Sequence, residues 1–278
     1  MLRISTAPQV PALHRLRARA LAAVLCTLGV AACATSPIPD QTHNLGEIKD
    51  KAKVSQQLAD AARQGGDYAG AVELYRKMLQ AGGDPFQAHL GLGDCLLATG
   101  ALDDSEKEYQ AAAVVAPDRP EAQLGLGRVL LAKHRPEQAL GAFDLALKNG
   151  ASHAVALNGK GLALDLLGRH ADAQQAYQEG LKDASQDRVL RSNFGLSLAL
   201  TGDYQGALAL LTPIAQDAAA TPRNRQNLAL VLGLKGDTAA ARSVALHDLS
   251  PEAVDSNLQF YQAARLAAAG TAGAAATH

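Results

Sequence analysis

The chain repeats itself every 34 residues. Six segments begin on this grid, with no insertion or deletion between them. They read GDYAGA (66–71), GALDDS (100–105), HRPEQA (134–139), GRHADA (168–173), GDYQGA (202–207) and GDTAAA (236–241). A fixed period of this length indicates stacked copies of one supersecondary unit, each of which buries its core against its neighbours. Such a stack offers an extended surface more readily than a catalytic cleft.

Two positions of the repeat hold small side chains. With position 1 at residues 52, 86, 120, 154, 188 and 222, position 8 carries Ala59, Gly93, Gly127, Gly161, Gly195 and Ala229. Position 20 is alanine in five repeats and Ser105 in the second. Large apolar residues dominate positions 7, 11 and 24, and the 7–11 and 20–24 spacings place each pair on one helical face. Position 15 is glycine except at His134, which suits the positive φ of a residue just past a helix end. Each unit is therefore predicted to be two antiparallel helices in tight contact at the small residues.

The small–small–aromatic pattern at positions 8, 20 and 24 resembles the tetratricopeptide repeat (TPR) family over roughly residues 52–255. It departs from that family at Lys160, where position 7 is otherwise apolar, and in a degenerate sixth repeat. The resemblance implies an all-α fold, a right-handed α-solenoid of about six helix–turn–helix repeats over residues 52–253. Residues 254–269 are predicted to form a C-terminal capping helix, and residues 270–278 a disordered tail.

The front of the chain has the layout of a secretory signal peptide. Residues 1–19 carry four arginines and no acidic residue. Residues 20–32 are almost wholly apolar, but they are fewer than the roughly 20 residues that a membrane-spanning helix needs. Residues 1–32 are therefore predicted to be a cleaved leader.

The leader ends in VAAC (30–33), which resembles the lipobox of bacterial lipoproteins. The resemblance implies that Cys33 is lipidated and becomes the new N-terminus. Residues 33–51 then form a polar, flexible tether. Ala34, in place of aspartate, favours the outer membrane of a Gram-negative cell, with the protein facing the periplasm. An ordinary signal peptide with an incidental cysteine is the alternative.

Composition and motifs exclude several functions. Removing four arginines from 26 basic residues leaves 22 against 27 acidic residues, a net charge of −5, with no basic cluster for nucleic acid. The sequence contains no GxSxG, Walker, HExxH or CxxC motif, so we expect no enzyme activity, cofactor, metal ion or small-molecule substrate. Cys95 falls at a small core position, and His134 and His170 are interpreted as turn residues.

One face of the repeats changes character along the chain. In the TPR fold that the resemblance implies, positions 9 and 13 of each first helix point into the concave groove. Position 9 is Asp94 in the second repeat and Arg128 in the third, whereas from the fourth repeat onward both positions are leucine. The predicted partner-binding groove comprises Asp94, Arg128, Leu162, Leu166, Leu196, Leu200, Leu230 and Leu234. It suits a protein partner, bound as an extended peptide or an amphipathic helix. Covering by residues 254–269, or dimerisation, is the alternative.

The C-terminal stretch is the part of the sequence that best discriminates among TPR lipoproteins. The segments RQNLAL (225–230), DLSPE (248–252) and NLQFY (257–261) resemble the end of the tight-adherence (Flp-type, TadD-like) pilus assembly TPR lipoproteins. The resemblance implies a scaffold that helps assemble or stabilise the secretin of a pilus apparatus. A TPR adaptor lipoprotein for peptidoglycan enzymes or for outer-membrane protein assembly is the alternative.

Overall fold

Thirteen α-helices follow one another in the residues that our computed structural model describes, which are residues 41–275 for the backbone and 50–267 for the side chains. They are α1 (Gln41–Gln64), α2 (Tyr68–Gln80), α3 (Pro85–Ala98), α4 (Leu102–Val115), α5 (Pro120–Ala132), α6 (Pro136–Lys148), α7 (His153–Leu166), α8 (His170–Asp183), α9 (Arg188–Leu200), α10 (Tyr204–Gln216), α11 (Pro222–Lys235), α12 (Thr238–Ala245) and α13 (Pro251–Ala275). From α2 to α12 each helix packs on the next, and the first helices of successive repeats also touch. The predicted all-α solenoid of six repeats is confirmed.

The core is built from aromatic rings that two repeats share. The Tyr109 ring of the second repeat lies against Gly93 of its own first helix and Gly125 of the next repeat. Phe143 lies in the same way between Gly127 and Gly159. A methyl group at any of these glycines would overlap the ring, so glycine is required there. These glycines therefore admit a ring, and the predicted tight contact between positions 8 and 20 is also present, since Oγ of Ser105 donates to the carbonyl of Gly93 at 2.8 Å.

Two departures from the repeat pattern are accommodated locally. His134 replaces the position-15 glycine and still adopts a φ of 55°, as the glycines there do, with φ between 71° and 101°. A non-glycine residue in this left-handed region costs about 1–2 kcal/mol. Lys160, half-buried where other repeats place an apolar residue, brings its Nζ to 2.7 Å from Oδ1 of Asp144. Its charge is therefore paired within the scaffold.

The two ends of the solenoid differ from the sequence expectation. α1 begins at Gln41, inside the predicted tether of residues 33–51, and α13 runs to Ala275, past the predicted helix end at 269. No proline interrupts either extension, and the alanine-rich C-terminal residues favour helix. Residues 1–40 and 276–278 lie outside the described residues, so the leader and Cys33 do as well. None of the described helices is long and apolar enough to cross a membrane.

α13 covers the last repeat. Its Val254 is fully buried with Ala229 of α11 and Ala245 of α12. Two turns further along α13, the Tyr261 ring packs against Gly233 of α11. Phe260, on the outer side of α13, remains 65% exposed. The predicted C-terminal capping helix is therefore present, longer than expected at both ends.

Candidate partner-binding groove

The six leucines of the predicted groove line one cavity of about 290 Å³. They come in pairs one turn apart on three first helices: Leu162 and Leu166 on α7, Leu196 and Leu200 on α9, Leu230 and Leu234 on α11. Leu166 is 54% exposed and Leu200 61% exposed, while the pair on α11 is partly buried. We call this site the leucine cavity.

The repeat pattern explains why these leucines face the groove and are not part of the core. On α9, Phe194 and Leu198 pack against α8 of the preceding repeat, and Leu198 also packs against α10 of its own repeat. Successive helical residues are rotated by about 100°, so residues two positions away point to the opposite side. Leu196 and Leu200 therefore face the groove while their neighbours fill the core.

A buried carboxylate lies under the leucines. Asp165 of α7, whose side chain is 9% exposed, accepts hydrogen bonds from Oη of Tyr177 (3.0 Å) and Oγ of Ser197 (2.8 Å). Nδ1 of His170 lies 2.9 Å from the oxygen that Ser197 contacts. These partners come from α8 and α9, so Asp165 ties both helices of the fourth repeat to the fifth. Burial, and then the charge of Asp165, raise the pKa of Tyr177, which keeps its hydroxyl a donor.

This cluster brings a serine, a histidine and an aspartate together, but not in catalytic order. A triad needs a hydrogen bond between the nucleophile and its base, and a second between the base and the acid. Here Ser197 and His170 both contact Asp165, and no Ser197–His170 hydrogen bond occurs among the described residues. Ser197 is also fully buried. We interpret the cluster as a clasp between repeats.

Sequence reasoning missed this clasp. It assigned His170 to a turn and took the aromatic position 24 as packing alone. The signal was present in the hydroxyl of Tyr177, because a buried tyrosine usually finds a partner for its O–H.

The groove of the first three repeats is polar and internally paired. Oη of Tyr75 donates to Asp60 and Oη of Tyr109 donates to Asp94, each at 2.6 Å. Asp94 also accepts a hydrogen bond from Nη2 of Arg128 at 3.0 Å. On its other side, Nη1 of Arg63 lies 3.6 Å from Asp94. We call these residues the polar ladder: Asp60, Arg63, Tyr75, Asp94, Tyr109 and Arg128.

Asp94 and Arg128 therefore do not join the leucines. With Arg63 they line a separate pocket of about 300 Å³. The predicted groove residues thus divide into two groups, one whose charges are neutralised by each other and one that is apolar.

Nearby, Cys95 is a buried core residue, as predicted, and burial raises its pKa to about 11.

α13 does not fill the leucine cavity in the described part of the chain. The lining comes from α7, α8, α9 and α11, while Val254 and Tyr261 of α13 pack elsewhere on α11 and α12. The alternative in which residues 254–269 fold back into the groove is not what the described residues show. They stack on the end of the solenoid.

The C-terminal segment that resembles the tight-adherence lipoproteins contains a bidentate ion pair. Nε and Nη2 of Arg225 lie 2.7 and 2.6 Å from the two oxygens of Asp248, and Nη1 donates to the carbonyl of Ala220 at 2.9 Å. The hydrogen bonds from Arg225 lower the pKa of Asp248. This pair fixes the start of α11 to the turn that leads into α13.

Family models of the tetratricopeptide repeat match residues 62–128 and 124–188. Three solved structures have similar folds. PilW, a widely conserved type IV pilus biogenesis factor, is 19% identical with a TM-score of 0.66, covering 75% of this chain and 97% of its own. PilF of Pseudomonas aeruginosa is 19% identical with a TM-score of 0.63, covering 77% and 97%. A TPR protein of Thermus thermophilus is 20% identical with a TM-score of 0.57, covering 65% and 98%.

No curated protein matches the chain in sequence. At these identities the solved structures share the fold with this chain, and fold alone does not assign a function. Residues 62–188 therefore carry tetratricopeptide repeats, a type of repeat that forms scaffolds for protein–protein interaction.

Proposed function

We propose that this TPR chain is a non-catalytic scaffold, anchored by lipid on Cys33 to the periplasmic side of the outer membrane. There it holds a protein partner during assembly or stabilisation of the secretin of a Flp or type IV-like pilus. The observation that carries the proposal is the leucine cavity, an open apolar site on a scaffold whose other groove residues are already paired.

The leucines can supply binding energy. Fully burying a leucine stabilises a complex by about 1.5–3 kcal/mol. Covering the exposed halves of Leu166 and Leu200 would therefore contribute about 1 kcal/mol each. A partner that seals the whole cavity gains from all six.

The anchor is supported by the leader and the lipobox. Residues 34–51 separate Cys33 from the first repeat, and residues 41–51 of these belong to α1.

The pilus role is supported by two likenesses. The C-terminal segments that resemble tight-adherence lipoproteins include Arg225 and Asp248, whose ion pair gives that resemblance a structural reason. The fold is also similar to that of PilW, a type IV pilus biogenesis factor. The second likeness is an analogy at the level of fold.

Photo-crosslinking in cells tests the role. A photoreactive residue at Leu196 or Leu230 should capture the secretin, whereas one at the exposed Val114 of α4 should not. Capture of a peptidoglycan enzyme or of an outer-membrane assembly factor would favour the adaptor alternative. Absence of any capture would refute the groove.

A separate variant tests the anchor. Cys33→Ala should abolish palmitate labelling and release the protein from membranes. Retained labelling would show that the lipid is not on Cys33.

A further inference from the structure

The polar side chains around the leucine cavity already have hydrogen-bonding partners within the scaffold. Asp165 holds Tyr177, Ser197 and His170. Nδ2 of Asn193 donates to Asn158 at 2.8 Å, and the remaining described lining is aliphatic. Little hydrogen-bonding capacity is left for a guest.

This limits the backbone conformation of a guest segment. An extended chain brings one N–H and one C=O per residue, and each such group buried without a partner costs about 1–3 kcal/mol. An α-helix satisfies these groups internally, because each N–H bonds the carbonyl four residues earlier. A helix can therefore press an apolar face onto leucines at no such cost.

The spacing expected for leucine pairs on adjacent packed helices suits a guest helix. Packed helices lie about 8–10 Å apart, which is the expected distance between the leucine pairs of α7, α9 and α11. Two turns of a guest helix, seven residues, advance about 10.5 Å. One apolar residue per heptad would thus meet each leucine pair in turn.

The charge pattern sets the boundary of the face. Asp165 is the one charged residue in the described lining, and it is nearly buried. Along position 9 the apolar row ends at Arg128, whose side chain is 51% exposed. The guest face must therefore be uncharged over three repeats.

We propose that the leucine cavity binds the apolar face of an amphipathic helix of a partner protein, about 15 residues long with anchors at heptad spacing, and not an extended peptide. This inference rests on the proposed function, since it names the kind of segment that the groove would hold. Of the two modes that an apolar groove allows, it selects the helix.

Two synthetic peptides of identical composition test it. Both have 18 residues with leucine in a background of alanine, glutamine and lysine; one places leucine at helical heptad spacing, the other at every second residue. We expect the full chain to bind the heptad peptide at least tenfold more tightly by fluorescence anisotropy. Its ¹³Cα shifts should move toward helical values on binding.

Matched variants locate the binding. Leu166→Asp with Leu200→Asp should weaken binding of the heptad peptide at least tenfold, and both residues are exposed enough to leave folding intact. Val114→Asp, at an exposed apolar residue of α4, should leave binding unchanged. Circular dichroism of the variants checks that they fold.

Several outcomes overturn the inference. They are equal or tighter binding of the alternating peptide, extended ¹³Cα shifts in the bound heptad peptide, and binding of neither peptide. If one of these occurs while Leu196 still captures the secretin in cells, the proposed function stands and the helical form of the bound segment is refuted. If the heptad peptide binds but nothing is captured, the helix groove stands and the pilus role fails.

Discussion

The polar ladder and the leucine cavity lie on the same face of the repeat unit, in different repeats, and are chemically opposite. In the first three repeats, charged and hydroxyl groups pair across repeat boundaries, as Arg63, Asp94 and Arg128 do. In the last three repeats, the equivalent first-helix positions carry leucines that the scaffold leaves partly exposed. The backbone is common to both, so groove residues can be chosen almost independently of the fold.

The two regions of the groove also have different roles. Paired side chains in the polar ladder tie repeats together and have little left to offer a partner. The leucine cavity has its tie beneath the surface, where Asp165 holds Ser197 of the next repeat, and so leaves its surface free. Variants that exchange these roles test the division.

The largest expected effect comes from removing the buried tie. Asp165→Ala leaves Tyr177 and the fully buried Ser197 without their acceptor, which should lower the free energy of unfolding by about 3 kcal/mol. Asp94→Ala removes a carboxylate that is 25% exposed, so water can take up part of its place and the cost should be smaller, about 1 kcal/mol. Urea unfolding measures both, and equal losses would contradict the division.

A smaller effect should follow from extending the apolar row. Arg128→Leu places a leucine at position 9 of the third repeat, while Asp94 keeps its contacts with Tyr109 and Arg63. A heptad peptide one heptad longer should then bind about fivefold more tightly, which corresponds to about 1 kcal/mol. The original peptide serves as control, and an equal gain for both lengths would argue against a continuous row.

Salt should separate the two regions further. Exposed charges are screened within about 10 Å at 0.1 M salt, whereas apolar contacts are not. Raising sodium chloride to about 0.5 M should shrink the destabilisation caused by Asp94→Ala and leave the affinity for the heptad peptide undiminished. Loss of that affinity in salt would mean that charges, and not leucines, dominate binding.

Acid should produce the smallest effect, at the C-terminal cap. The pKa of Asp248 is lowered in the folded state by the hydrogen bonds from Arg225. Its contribution is therefore complete above the ordinary aspartate pKa of about 3.9 and is lost as the pH falls below it toward the lowered value. Hydrogen exchange of α13 should rise over this range, and Asp248→Asn should flatten the rise while peptide binding at neutral pH is unchanged.

The period of the sequence predicted the repeats, and the resemblance to the TPR family implied that the six leucines share one face, where they line a single cavity. Neither predicted that Asp94 and Arg128 stand apart from the leucines. That separation depends on distances between side chains in successive repeats, such as the 3.0 Å between Arg128 and Asp94. The ends of α1 and α13 were also misplaced, since no repeat pattern marks them and local helix propensity decides.

The shared rings couple neighbouring repeats, and this coupling weakens toward the C-terminal end of the solenoid. Tyr109 and Phe143 each touch glycines of two repeats, so the folding of one repeat is coupled to the next. In the fifth repeat the place of the ring is taken by Leu211, and in the sixth by Ala245. In a one-dimensional chain of nearest-neighbour couplings, cooperativity falls where the links are weakest. Thermal opening should therefore begin beyond the fourth repeat and travel backward, so the end of the solenoid that carries the leucines is also the part most able to adjust its curvature to a guest.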